Sequence, residues 1–327
     1  MVHTHTDKLK REAEPIPSGW EVFECSEGAR LQWQGDSIEA LCERGLCQAL
    51  ESAFSSRPGN ASIRLTSHIS DTFDLSVLGR IAPGTGVELA DDILVYRDMF
   101  YQSAGLWSAA STAAPFPLRY ALTNGLRHPL RPPKPAGEVY RRHIPWLRKT
   151  ITFRTVDVDD DLALFSRWMN DPVVAHFWQE EGNLAHHRSY LHRVAEDKHT
   201  IGLIGCFDDD PFGYFEVYWA REDRIAPFYD VADHDRGWHG LVGEERYRGK
   251  PYLTAWMPSV AHYIFLADCR TQRIVIEPRT DNHKMIKSLA RCGYALLKEF
   301  DFPHKRAMLG MLLRERFFSE ALWVPRD

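Results

Sequence analysis

No run of 18 or more apolar residues occurs in this chain, so no membrane-spanning helix is expected. The first residues, MVHTHTDKLKREAEP, are polar and lack the apolar core of a secretory leader. No CxxC pair is present. The six cysteines (Cys25, Cys42, Cys47, Cys206, Cys269 and Cys292) sit mostly inside apolar segments. They read as buried free thiols, not as a disulfide frame or a zinc site. Neither sign of charge is in excess: 40 Lys and Arg against 45 Asp and Glu give a net charge of −5. That balance points away from nucleic-acid and anionic-membrane partners. These absences leave a cytoplasmic globular protein.

Its 327 residues, 44% of them apolar, suffice for two domains with cores of their own. Residues 1–18 are expected to form a flexible arm. Residues 19–126 read as a mixed α/β domain. Glu21–Cys25 and Arg30–Gln34 alternate like strands of a hairpin, Ser37–Phe54 has helical spacing from a Ser cap, and Ala61–Thr66 is a further strand. No chemical motif stands out in this half. Four prolines within Arg127–Gly137 predict an extended linker over 127–149. From 150 to 327 the pattern is continuous. Strands are predicted at 150–156, 200–207, 214–219, 238–243, 272–278, 295–302 and 306–316. Helices are predicted at 157–170, 184–196 and 251–266, with one more from an Asp281 cap to Gly293. This order defines an α+β layer with a mixed sheet.

The stretch Tyr229–Lys250 organises the second half. An acidic loop (Asp230, Asp233, His234, Asp235) leads into the apolar strand Trp238–Gly243. The strand ends in the charged turn Glu244–Lys250, and Pro251 suits the first turn of the following helix. A glycine turn rich in cations before a helix N-terminus is suited to an anion, because the first N–H groups are unpaired and the dipole favours negative charge. The acidic loop matches no EF-hand spacing and contains Arg236, so no metal is expected.

The order of elements resembles the acetyl-CoA-dependent N-acetyltransferase (GNAT) fold, a central mixed sheet flanked by helices, here preceded by an extra N-terminal α/β domain. The family's pyrophosphate loop reads here as Arg246-Tyr-Arg-Gly249-Lys-Pro251, with Pro replacing a final Gly or Ala. A narrower resemblance, to the siderophore-biosynthesis branch of that superfamily, covers roughly 150–316. It rests on Phe215–Ala220, Tyr229-Asp230, His234–His239, Ile274–Pro278 and Asp281-Asn282. The resemblance implies acyl transfer from acetyl-CoA, or succinyl-CoA, to N6-hydroxylysine, N-hydroxyputrescine or N-hydroxycadaverine. It implies Glu277 as proton acceptor and His239 as an acceptor contact. Val242, Arg246, Arg248, Gly249, Lys250 and Asn282 are the implied cofactor contacts. A non-catalytic member that only binds CoA or a partner protein would have no use for His239 and Glu277 together.

From the residues alone, Glu277 could instead pair with Arg273 or Arg279, and His239 could be a satisfied core histidine. Asp235 is a candidate to orient His239. Phe177 and Trp178, with His176, are candidates to line the acceptor cleft. His239 is read as starting its strand and Glu277 as ending the next. Simple parallel register then puts them near opposite ends of the pair. A shared role therefore requires the acceptor to lie across the sheet face, or the strands to splay.

Overall fold

In a computed structural model, the described residues are 19–25, 28–34, 43–57, 59–66, 92–108, 115–123 and 125–325. The expected arm, 1–18, and the expected Ser37 cap lie outside them. The chain divides into two compact units, Met1–Phe100 with His143–Arg148, and Tyr101–Arg142 with Lys149–Asp327.

In the first unit, β1 (Trp20–Cys25) and β2 (Gly28–Trp33) form the hairpin that their alternation predicts. Helix α1 (Glu43–Ser56) buries Leu46, Ala49, Leu50, Ala53 and Phe54, an apolar stripe at helical spacing. Strand β3 (Ser62–Thr66) runs parallel to β2, and β4 (Asp92–Tyr96) runs antiparallel to β3. The short helix α2 (Arg97–Gln102) follows.

The second unit opens with a two-stranded ribbon, β5 (Tyr120–Thr123) and β6 (Leu126–Pro129). Next come β7 (Glu138–Ile144) and β8 (Lys149–Thr155). The segment expected to be a linker over 127–149 is therefore largely structured. Its proline cluster ends at Pro135 and the next proline is Pro145, so Glu138-Val-Tyr-Arg-Arg-His-Ile between them keeps every N–H a ladder needs.

Three helices follow: α3 (Val158–Met169), α4 (Pro172–Trp178) and α5 (Leu184–Glu196). Asp157, Asp171 and Asn183 cap them by accepting bonds from first-turn N–H groups. The chain continues through β9 (Thr200–Phe207), β10 (Asp210–Trp219), β11 (Arg236–Val242), α6 (Lys250–Ala267) and β12 (Arg273–Ile276). It closes with α7 (His283–Arg291), β13 (Ala295–Asp301), β14 (Arg306–Leu313) and α8 (Arg314–Ser319). The strand expected over 306–316 thus stops at Leu313. The cap of α7 is Asn282, not Asp281, which pairs with Arg279.

The sheet order is β13-β14-β12-β11-β10-β9-β8-β7. Its central strand β10 is buried along nearly its whole length, so its sequence is apolar on both faces. Alternation still sorts its side chains. Phe215 turns to α6, where it packs on Trp256, and Trp238 of β11 does the same. Tyr214, Glu216 and Tyr218 take the other face. There Tyr214 joins an apolar cluster with Phe165 and Trp168 of α3 and Tyr190 of α5, while Tyr218 joins a second one with Val275, Phe302 and Leu309.

Gly237 makes the second cluster possible. A Cβ there would sit 2.2 Å from Cζ of Tyr218 and 2.4 Å from its hydroxyl oxygen. We expect Gly237→Ala to lower stability by about 1–3 kcal/mol, the cost of overpacking a filled site. A urea midpoint equal to wild type would contradict this packing.

Candidate active site

The candidate side chains His239 and Glu277 fall on one row with Glu216, across three neighbouring strands. Glu216 of β10 is the antiparallel partner of His239 in β11. Strand β12 runs parallel to β11, with Arg236 beside Ile274 and Gly237 beside Val275. Two residues further, the same register sets His239 level with Glu277. The expected separation of His239 and Glu277 is therefore corrected. Strand β11 begins at Arg236, two residues before the apolar run, so His239 is its fourth residue. The two strands pair only at those two positions, after which β12 ends and β11 continues to Val242.

His239 Nε2 lies 2.6 Å from Oε1 of Glu277, and Nδ1 lies 3.3 Å from Oε2 of Glu216. Tyr218 donates to the other oxygen of Glu277 at 2.8 Å. Tyr190 and Tyr214 both donate to Oε1 of Glu216, at 2.6 and 2.9 Å. Arg224 and Lys305 lie 3.6 and 3.7 Å from the Glu277 carboxylate. Glu277 thus pairs with neither Arg273 nor Arg279, which bind Asp235 and Asp281. Asp235 does not orient His239. It is buried between Arg273, the Tyr229 hydroxyl and the Ala232 N–H.

Charge and burial oppose each other at this row. Burial alone would lower the pKa of His239, but the Glu277 charge and hydrogen bonds to both carboxylates push it up to about 9. Burial alone would raise Glu277, but the charge and hydrogen bond of His239, with Lys305 and Arg224, hold it far below the usual carboxylate range. Glu216 is likewise lowered against its burial, chiefly by His239. An imidazole with a carboxylate on each nitrogen donates from both, so the row is an anion–cation–anion sandwich.

This row forms part of the wall of a cleft of about 560 Å³. Phe177, Trp178 and Tyr190 line it from the helical side, and Asn282, His304 and Lys305 from the other. His176 is not among the lining residues, whereas Trp178 stands edge-on to His239 with ring centroids 6.5 Å apart.

The cationic turn lies beyond the end of β11. Arg246 is exposed and held by both oxygens of Asp210 at 2.7 Å. Arg248 ties down the end of β11 by donating to the carbonyls of Val242 and Gly243, and it pairs with Asp171. Gly249 caps α6 at φ +109°, a left-handed conformation that favours glycine, and Lys250 is exposed. Asn282 spends its side-chain oxygen on the N–H of Met285. Of the four cysteines described, Cys206 is buried as expected, but Cys269 is exposed.

Glu216 and Tyr218 were not singled out from the sequence. The signal was present: a lone carboxylate at the centre of Tyr214-Phe-Glu-Val-Tyr-Trp shares a strand face with the tyrosines two positions either side.

A mixed sheet that parts between two parallel strands over a buried acid–base row defines an acyltransferase of the GNAT type, and the comparisons agree. Residues 157–302 match the family model described as an acetyltransferase (GNAT) domain. The chain is 38% identical over 308 residues to the N(6)-hydroxylysine O-acetyltransferase of Escherichia coli, covering 94% of this chain and 93% of that one. It is 34% identical to a hydroxyornithine transacylase of Ajellomyces capsulatus, covering 88% and 74%. A solved Bacillus halodurans structure superposes with a TM-score of 0.55 at 28% identity, covering 58% of this chain and 96% of that one. The chain belongs to the GNAT superfamily, within its siderophore N-acyltransferase branch.

The row makes a titration prediction. His239 is expected to lose its proton at about pH 9 in an NMR titration, and at a lower pH in Glu277→Gln. A raised histidine pKa gives stability that is complete below the ordinary value near 6.5 and lost as pH rises through about 9. The stability gap between wild type and Glu277→Gln should therefore narrow as pH rises from about 6.5 to about 9 and level off above that. A gap independent of pH between 6 and 10 would contradict the ion pair.

Proposed function

We propose that the protein transfers an acyl group, acetyl in the first instance, from acyl-CoA to the nitrogen of an N-hydroxylated amine, forming a hydroxamate. The observation that carries this reading is the His239–Glu277 pair on the cleft wall, at the point where β11 leaves β12. The relatives' names support the acceptor class: they specify hydroxylysine and hydroxyornithine.

In this reading the acyl-CoA enters between β11 and β12. The Gly243 N–H donates to the Phe212 carbonyl and the Ala220 N–H to the Asp235 carbonyl, so in the same register His239 and Leu241 point their backbone groups at β10. By alternation Gly240 and the N–H of Val242 point into the gap, where an amide-bearing chain can extend the sheet, while the Val242 carbonyl is taken by Arg248. The diphosphate meets the N-terminus of α6 at Gly249 and Lys250. Arg246 and Arg248 shape this loop through Asp210, Asp171 and the end of β11, and Asn282 meets the pantetheine arm from α7.

The acceptor nitrogen attacks the thioester carbon, the C–S bond breaks, and the thiolate leaves. The nitrogen's proton passes to the Glu277–His239 pair. A carboxylate with so depressed a pKa is a weak base. It suffices for a hydroxylamine, whose nitrogen is already neutral at pH 7 and becomes strongly acidic once it has attacked. It does not suffice to deprotonate an alkylammonium.

The test is acetyl transfer from acetyl-CoA to N6-hydroxylysine, N-hydroxycadaverine and plain lysine, followed by thiol release and by the colour of the ferric hydroxamate. Coloured product from the hydroxylated acceptors alone is expected. Thiol release without colour would mean transfer to oxygen, the outcome that the Escherichia coli relative's name describes. Glu277→Gln should lower kcat on the order of 10²-fold while calorimetry shows CoA still bound. Near-normal turnover across the pH range would remove Glu277 from the proton step.

A further inference from the structure

Among the carboxylates of the cleft is Asp223, which the proton step does not use. It lies on the loop after β10, with its side chain 14% exposed, and it lines the same cleft as His239 and Glu277. One oxygen accepts the Ile225 N–H at 3.0 Å. The nearest cation to the other oxygen is His199 Nε2, 4.0 Å away. That histidine is already committed, with Nδ1 2.6 Å from Asp197.

Neighbouring ionised groups on the wall have closer partners. Arg224, next in sequence, turns to Glu277, as does Lys305. Arg279 is held by Asp281, and Glu180 by His186. Asp223 is thus a largely buried carboxylate with an oxygen to spare, facing the cavity. Burial and the Glu277 charge raise its pKa above the usual range, so the site disfavours its charge until a cation arrives.

We propose that Asp223 binds the acceptor's second ammonium group, the one remote from the reacting nitrogen, and so sets the enzyme's preference for acceptors that carry one. This rests on the cleft being the acceptor site. An ammonium seated on Asp223 approaches closer than His199 does at 4.0 Å and gains a charge-assisted hydrogen bond, about tenfold to a hundredfold in affinity. The other charge on the acceptor is thereby held away from the row, so that the hydroxylated end faces Glu277.

The experiment compares two acceptors of equal carbon count, N-hydroxycadaverine and N-pentylhydroxylamine, the second lacking the remote amine. Wild type should prefer the diamine in kcat/KM, with the preference residing in KM. In Asp223→Asn that ratio should collapse by tenfold or more, and Asp223→Glu should keep most of it. The ratio cancels any general effect of the substitution on folding or on Glu277. An unchanged ratio in Asp223→Asn, or equal losses for both acceptors, overturns the proposal. Wild-type transfer to N-pentylhydroxylamine tests the functional reading separately. Transfer to neither acceptor would reject that reading and this one with it, whereas transfer with no preference removes only the ammonium site.

Discussion

Two carboxylates buried on either side of one imidazole are the constraint on which the cleft depends. Glu216 and Glu277 are 7% and 1% exposed, and burial drives any such group towards its neutral form. A protonated His239 between them lets both stay charged, and three tyrosine hydroxyls satisfy further lone pairs. The arrangement exists only because β10, β11 and β12 are adjacent and in the register that lines up one residue from each. Removing His239 would strand two buried anions, so the histidine is what holds the row together.

The same sheet fixes the other end of the site. Helix α6 is buried around most of its circumference from Ala255 to Leu266, so its N-terminus cannot drift. Arg248 binds the last carbonyls of β11, and Tyr247 is buried with its hydroxyl on Asp210. Two of the turn's three cations are thus occupied within the protein itself, and they make the loop rigid. In the proposed reading Lys250 and the backbone of Gly249 meet the diphosphate, and a loop already held by the protein costs little entropy when that ligand binds.

Much of this was legible in the sequence. The helix at 184–196 and the strand at 200–207 have the bounds that their periodicity predicts. Family resemblance pointed to His239 and Glu277. What stayed hidden depends on register. Thirty residues, including a helix, separate β11 from β12, and no local pattern says which residue of one strand faces which of the other. Asp235 looked like the partner of His239 because it is near in sequence, whereas Glu216 and Glu277, 23 and 38 positions away, are the partners in space. Asp223 was invisible for the same reason.

The proton affinities on the wall bear on which amines the proposed reaction can use. An alkylamine with a pKa of about 10.4 must give up a proton before it can attack at pH 7, at a cost of about 4–5 kcal/mol. An enzyme for that substrate needs a base whose own affinity is raised. Here the carboxylate nearest His239 is instead depressed by its imidazolium, with Lys305 and Arg224 behind it. Such a group is mismatched to a lysine-like amine and matched to a nitrogen that arrives neutral and turns acidic only as the C–N bond forms. In the proposed reaction, selectivity for the hydroxylated nitrogen would then need no pocket for the hydroxyl group: it would follow from the electrostatics that let Glu216 and Glu277 be buried beside His239.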